Sequence, residues 1–174
     1  PAPYDSAPTD TGTGDTAPPI AYASWSGTEV FEYGLFPEPG LRTCLLRFVT
    51  TGTPSEACPA CVFAFEVTRS FQPENSLDDG TCAILAVDDA WTYGYFADLD
   101  GAPTVARLEG DAWVPWGRAD LDRGTGVLTY ENGVFDEPLS GSSEGWYSTW
   151  GWRGEARLDP ASARRRSGAR DAAR

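Results

Sequence analysis

Four cysteines, Cys44, Cys58, Cys61 and Cys82, are the side chains of this sequence with the widest choice of chemistry. Residues 58–61 read CPAC, the CxxC spacing of redox dithiols, and four thiolates together could also hold zinc. Redox CxxC motifs open a helix, whereas Cys61 opens an alternating strand pattern, and ribbon-type zinc sites pair two CxxC units where this chain has one. We therefore expect two structural disulfides formed in an oxidising compartment, with zinc and redox activity as the alternatives.

Hairpin geometry ranks the three ways of pairing these cysteines. If strands 44–51 and 61–71 pair through the loop between them, Cys44 lies roughly 20 Å from Cys61 at the rise of an extended strand. That separation is too long for a disulfide. Cys82 follows the second strand and returns to the Cys44 end. The sequence therefore favours the pairs Cys44–Cys82 and Cys58–Cys61.

Carboxylates are the main acid–base groups left, because the chain has no His and all of its basic residues are Arg. A Ser-His-Asp triad, an imidazole metal ligand and a lysine Schiff base are therefore impossible. The GSSEG sequence at 141–145 matches GxSxG only formally, since a nucleophile elbow needs a His base. Close acidic pairs could serve a glycoside hydrolase or bind Ca²⁺ in loop 98–101 or 120–126. Most of these acids flank Gly or Pro, so we expect turn residues, no catalytic residue, no metal and no cofactor.

Seven Trp residues supply large rings, which either pack in the core or form an exposed surface that binds a ligand. Exposed indoles stack on sugar rings, and indoles lining a barrel interior could hold a small apolar ligand. Core packing is the more ordinary role. The candidate ligand-binding residues are Trp91, Trp113, Trp116, Trp150 and Trp152.

The elements that position these groups are predicted to be β-strands. In 61–71, Phe63, Phe65, Val67 and Phe71 alternate with polar residues, the period of a half-buried antiparallel strand. Gly- and Asp-rich turns separate about eight such segments, and no stretch sustains a helical stripe. We therefore predict an all-β domain, an antiparallel meander closing into a β-barrel or β-sandwich and stabilised by disulfides. The other predicted strands are 22–33, 44–51, 82–87, 91–96, 104–108, 112–118, 126–130 and 145–158.

The two ends of the chain differ from its middle in composition. Residues 1–20 are rich in Pro, Thr, Asp and Gly and predict a disordered tether. Residues 21–159 form the single β domain, and 160–174, with five Arg and one Asp, predict a basic disordered tail. The formal charge of −13 argues against nucleic acid as a partner. Because the sequence begins with Pro1 rather than Met, we expect a preceding segment such as a signal peptide.

The sequence resembles a group of secreted, uncharacterised lipoproteins of high-GC Gram-negative bacteria. The resemblance covers roughly residues 22–158 and is carried by the Thr/Asp/Pro-rich lead, CPACVFAFEVT at 58–68 and GTC at 80–82. The segments YGY at 93–95 and WVPWG at 113–117 are similar as well. It implies an all-β domain held at a membrane by a lipid-anchored tether, and it implies no activity.

These observations favour a non-enzymatic domain that is secreted, periplasmic or anchored to the outer membrane of the cell envelope, with a surface or structural role. The first alternative is a binding module for a glycan or a small apolar ligand, built on the five indoles. The second is a carboxylate-dependent glycoside hydrolase.

Overall fold

Residues 21–38, 40–56, 58–139 and 146–161 are described by a computed structural model, and they form nine antiparallel β-strands. The 1–20 tether, the 141–145 motif and all but the first two residues of the basic tail lie outside these ranges. The strands are β1 (Tyr22–Phe36), β2 (Cys44–Ser55), β3 (Phe63–Phe71), β4 (Leu77–Asp78), β5 (Asp89–Leu99), β6 (Ala102–Glu109), β7 (Ala112–Asp122), β8 (Val127–Pro138) and β9 (Tyr147–Pro160).

Eight of the strands close into an up-and-down barrel, because β1 pairs with both β2 and β9. The remaining neighbours follow chain order, except that β3 pairs with β5 and the two-residue β4 pairs with the start of β2. Closure leaves no free edge strand in the barrel, which removes the template for edge-to-edge aggregation. The predicted meander is confirmed, and the structure selects the barrel over the sandwich.

Short turns at Asp-Gly sequences join the later strands. Asp100 and Gly101 both adopt positive φ, 56° and 86°, and the Gly101 N–H donates to Asp98 Oδ1. Asp122 Oδ1 likewise accepts the Gly124 N–H at 2.8 Å in the β7–β8 turn. These contacts are the turn role expected of Asp beside Gly.

The two ends of the barrel are occupied by different segments. One end, called here the closed end, carries the described residues of the 56–62 loop, the β5–β6 and β7–β8 turns, and Ala21 and Ala161, where the Ala161 N–H donates to the Ala21 carbonyl. The opposite end, called the apolar end, carries the described residues of the 37–43 loop, the 72–88 segment, the β6–β7 turn, the end of β8 and the start of β9. A tether or tail attached at Ala21 or Ala161 therefore begins at the closed end.

Large side chains fill the barrel interior in two apolar clusters. Trp25, Phe65 and Tyr93 belong to the cluster nearer the closed end, and each is at most 2% exposed. Phe48 and Trp152 belong to the cluster nearer the apolar end, which also contains the Cys44–Cys82 disulfide. Aromatic rings thus supply much of the core volume, as the composition predicts.

The predicted strand at 82–87 is wrong. Cys82 precedes a 3₁₀ turn at Ala83–Leu85, and the segment lies on the surface with Ile84 84% exposed. Its apolar composition suited a buried strand, but the 17 residues between β3 and β5 instead run across the apolar end. They are held by the Cys44–Cys82 bond and by Asp88, which accepts the Phe71 N–H at 2.7 Å. A disulfide and a hydrogen bond between a backbone N–H and a carboxylate therefore hold this segment, although most of its apolar side chains are not buried.

The pairing between β7 and β8 covers only part of the two strands. The ladder runs only from Arg118–Glu131 to Asp122–Val127, although β8 remains paired with β9 as far as Pro138. A groove of about 520 Å³ opens where the two strands diverge, lined in part by Pro115, Trp116 and Asn132. The described residues include no helix with the length and apolar composition needed to span a lipid bilayer.

Candidate functional site

A carboxyl group occupies the middle of the barrel. Glu29 is 0% exposed and shares the inward face of β1 with Trp25 and Phe31. Its register partner on β9 is Gly154, where an added Cβ would lie 2.0 Å from the Tyr130 ring. The glycine therefore makes room for the tyrosine that reaches this carboxylate.

Four side chains from four other strands donate hydrogen bonds to Glu29. Trp116 Nε1 lies 3.1 Å, the Tyr130 hydroxyl 3.2 Å and the Tyr93 hydroxyl 3.4 Å from Oε1. Arg69 donates from one terminal nitrogen to Oε2 at 2.7 Å. A buried charge is tolerated only when it is paired and hydrogen-bonded, and this arrangement meets both conditions.

Arg69 connects Glu29 to a second carboxylate nearer the apolar end. Its Nε lies 2.5 Å from Asp89 Oδ1, its other terminal nitrogen donates to Asp89 Oδ2, and its residue is 4% exposed. The guanidinium also stacks over the Phe48 and Trp152 rings at 4.8 and 4.5 Å. Burial by itself lowers the pKa of Arg69, but the Asp89 hydrogen bonds and the Glu29 charge outweigh it and raise that pKa above the ordinary value.

The two tyrosines on Glu29 are held in the neutral form. Burial raises the pKa of Tyr93 well above its ordinary value, and the adjacent Glu29 charge raises it further. The same two causes, in the same order, raise the pKa of Tyr130. Both hydroxyls therefore act as hydrogen-bond donors to the carboxylate and not as bases.

A second arginine lies between two indoles at the apolar end of the interior. The Arg107 guanidinium lies 3.6 Å from the Trp116 ring centroid and 4.1 Å from that of Trp91. One terminal nitrogen donates to Glu109 at 2.8 Å, and Nε is buried with no hydrogen-bond partner. Trp116 joins the two arrangements, since its ring contacts Arg107 while its N–H binds Glu29.

The buried polar cluster, made of Glu29, Arg69, Asp89, Tyr93, Trp116 and Tyr130, is therefore extensively hydrogen-bonded internally. The sequence analysis did not single out Glu29 or Arg69. The period-two pattern contained the signal, because Arg69 falls on the same face of β3 as Phe65 and Val67. Charged residues are rarely buried, so an alternation that places one among apolar neighbours indicates a buried ion pair.

The five indoles predicted to bind ligand occupy three environments. Trp91 and Trp116 stack on Arg107, and Trp152 packs against Phe31 and Trp116 inside the barrel. Trp113 contacts Phe96, with ring centroids 5.7 Å apart. Trp150 is 52% exposed and pairs in register with Tyr33, which is 40% exposed. Trp150 and Tyr33 thus form an exposed aromatic pair at the apolar end.

The acidic candidates are engaged in local contacts. Asp98 and Asp122 bind turn N–H groups, Asp88 binds the Phe71 N–H, and Asp89 belongs to the buried polar cluster. Asp136 forms a two-pronged salt bridge with Arg42 at 3.0 and 3.1 Å.

The disulfide pairing predicted from hairpin geometry is confirmed as Cys44–Cys82 and Cys58–Cys61. Asp78 lies beside the first bond, and its Oδ1 accepts the Gly80 and Cys82 N–H groups. Because both sulfurs are in the disulfide, these three residues offer no thiolate to a metal. Two disulfides are typical of proteins that fold in an oxidising compartment.

Exposed apolar side chains concentrate at one end of the barrel. Of twelve large apolar residues that are exposed among those described, ten lie on β1, β7, β8 and β9 near the apolar end or on the segments that form it. Val49 on the barrel wall and Val62 at the closed end are the other two. The ten are Tyr33, Leu35, Leu41, Leu77, Ile84, Val87, Val114, Val134, Leu139 and Trp150.

Acidic residues lie on the same segments as these apolar side chains. Exposed carboxylates come from each of the segments that form the end, whereas Arg42 and Arg107 there are ion-paired with acids of the same chain. The exposed acids are Glu38, Glu74, Asp79, Asp88, Asp111 and Glu137. The end therefore carries both exposed apolar side chains and exposed carboxylates.

A comparison of the chain with protein-family models, with curated proteins and with solved structures finds no match.

Proposed function

We propose that this chain is a non-enzymatic domain of the cell envelope or the extracellular space that recognises a protein partner through its apolar end. The observation that carries the proposal is the confinement of ten of the twelve exposed large apolar residues to that end. Exposed apolar side chains scattered singly are ordinary, whereas a concentrated and polar-rimmed group is typical of an interaction site.

The charge around the apolar end selects the kind of partner. The exposed acids there favour a protein surface that combines apolar residues with Lys or Arg, because opposite potentials steer association. The same charge disfavours an anionic bilayer and a second copy of this chain, whose formal charge is also −13.

The positions of Ala21 and Ala161 support this orientation. Both residues lie at the closed end, so a lipid anchor preceding the predicted 1–20 tether would hold the apolar end away from the membrane. In this proposal the tether supplies reach and the barrel supplies the recognition surface.

A second candidate function is binding of a glycan or a small apolar ligand at the same end. Trp150 and Tyr33 favour it, because they are register partners and both rings are more than a third exposed. Exposed aromatic rings offer a face for stacking against a sugar.

Selection of linear peptides from a phage-displayed library on the full chain tests the proposal. We expect a consensus that combines apolar residues with Lys or Arg. Val87→Glu should weaken binding of the selected peptides at least about tenfold, because it places a negative charge among the exposed apolar residues of this end. Val49→Glu is the matched control, since Val49 is 42% exposed on the wall and Val87 is 51% exposed.

Three outcomes would overturn the protein-recognition proposal. The first is a consensus without basic residues, and the second is equal weakening by the two Val variants. The third is tight binding to vesicles of phosphatidylglycerol, which would assign the apolar end to a lipid surface. Binding of neutral oligosaccharides that is lost in Trp150→Ala would establish the second candidate in its place.

A further inference from the structure

The two disulfides lie in different environments. Cys44 and Cys82 are 0% and 4% exposed inside the apolar cluster at one end of the barrel. Cys58 and Cys61 are partly exposed in the β2–β3 loop at the closed end, and the two residues between them are exposed. A dissolved thiol can therefore reach the second bond without unfolding the barrel.

The two bonds also differ in how much they constrain the unfolded chain. Cys44–Cys82 spans a sequence separation of 38, and Cys58–Cys61 spans a separation of 3. In the loop-entropy relation, the longer loop restricts the unfolded chain more than the shorter one. The smaller bond contributes less to holding the fold, although it is the more accessible.

The loop accommodates the reduced form. Cys61 Sγ lies 3.3 Å from the Cys58 carbonyl oxygen, so a thiol at Cys61 has an acceptor in place. The Val62 N–H still donates to the Tyr95 carbonyl, and the β2–β3 ladder ends at Ser55–Ala64, outside the loop. Opening the bond therefore breaks no strand pairing.

The two sulfurs are not equally accessible. A Cβ placed on Gly94 would lie 3.3 Å from Cys61 Sγ and 2.9 Å from the Trp113 ring. Cys61 Sγ therefore packs against the outer wall beside Trp113, which shields it from attack. Cys58 Sγ is accordingly the sulfur that an incoming thiolate reaches first.

We propose that Cys58–Cys61 is a thiol–disulfide exchange site for an extracytoplasmic thiol or dithiol, while Cys44–Cys82 is purely structural. The partner thiolate attacks Cys58 Sγ, the bond between the two sulfurs breaks, and Cys61 leaves as a thiolate that takes up a proton. A second partner thiol then attacks the mixed disulfide at the partner's sulfur, which releases Cys58 as a thiol and leaves the partner as a disulfide. The protein gains two electrons and two protons, and the partner loses the same.

Incubation of the full chain in glutathione redox buffers tests this assignment, with acid quenching, alkylation and mass spectrometry of the four cysteines. We expect Cys58 and Cys61 to be reduced under conditions that leave Cys44 and Cys82 oxidised, with circular dichroism unchanged. Trp113 fluorescence should rise with the reduction, because a disulfide beside an indole quenches it. At limiting glutathione the adduct should form on Cys58.

A second measurement uses single variants, in which the Cys44–Cys82 bond still holds the fold. Cys61→Ser leaves the Cys58 thiol and Cys58→Ser leaves the Cys61 thiol. We expect the Cys58 thiol to react with an aromatic disulfide reagent at least about tenfold faster, because reactivity follows access. Reduction of both native bonds together, reduction of Cys44–Cys82 first, or adduct formation mainly on Cys61 would each overturn the assignment.

Discussion

Glu29 of β1 and Arg69 of β3 form an ion pair of 2.7 Å across the barrel interior, between strands that are not neighbours in the sheet. The same carboxylate accepts hydrogen bonds from Tyr93, Trp116 and Tyr130, so one side chain connects β1 to β3, β5, β7 and β8. These contacts form only when all five strands are in their native register. We infer that the buried polar cluster specifies the register more than it adds stability, since an apolar replacement of equal volume often stabilises as well.

The first prediction concerns removal of this carboxylate. Glu29→Ala leaves a buried guanidinium, two hydroxyls and an indole N–H without their acceptor, so we expect a loss of about 3–5 kcal/mol in the free energy of unfolding. Urea denaturation of the oxidised protein measures it. Glu66→Ala on the exposed face of β3 is the control and should change stability by no more than about 0.5 kcal/mol. Equal effects of the two variants would contradict the ion-pair assignment.

The second prediction concerns alkaline pH. The folded-state pKa of Tyr93 and Tyr130 is raised, so their contribution to stability is complete below the unfolded value of about 10 and is lost as pH rises above it. We expect both tyrosines to ionise only as the barrel unfolds. Ultraviolet absorbance of tyrosinate, followed together with circular dichroism, checks this. Ionisation of all seven tyrosines before any loss of structure would show that these two are not buried.

The third prediction concerns acidic pH. The Arg42 hydrogen bond, helped by the Gly40 N–H, lowers the pKa of Asp136 to about 2. Its contribution is therefore present above the unfolded value of about 3.9 and is lost as pH falls towards 2. Asp136→Asn should reduce stability at pH 7 and converge with the wild type near pH 2. A difference that stays constant over that range would rule out the salt bridge as its cause.

The fourth prediction concerns the glycine beneath Tyr130. In Gly154→Ala the new Cβ would lie 2.0 Å from the Tyr130 ring, so the ring must move away from Glu29. Overpacking and the lost hydrogen bond together should cost at least about 2 kcal/mol. Gly124→Ala serves as the control, because its nearest contact is the flexible Asp122 carboxylate at 3.2 Å. Thermal unfolding distinguishes them, and a neutral Gly154→Ala would place Tyr130 elsewhere.

Alternation and loop lengths made much of the fold predictable. The strand that contains Phe65 and Val67 and both disulfide pairs follow from the two-residue period and the rise of a strand. The choice between barrel and sandwich depends on β1 pairing with β9, a contact between chain segments that no local pattern encodes.

The candidate surfaces were harder to predict, for two physical reasons. Ile84 and its apolar neighbours have the composition of a buried strand, and the tertiary contacts at Cys82 and Asp88 hold the segment on the surface. Glu29 and Arg69 are charged residues, which are almost never fully buried unless paired, so residue type alone predicts an exposed position although the alternation places them inside. Which Trp residues lie together was also hard to predict, because strand register decides it. The register places Trp113 and Trp152 in different environments.

We propose that the apolar end is where this protein meets its partner. Backbone amide chemical shifts of the isotope-labelled chain, recorded during titration with a peptide selected on it, test that claim most directly. We predict that the perturbed amides cluster around Ile84, Val87 and Trp150, with little change at the closed end. Perturbations confined to the β7–β8 groove or to the 56–62 loop would contradict the account and assign recognition to another surface.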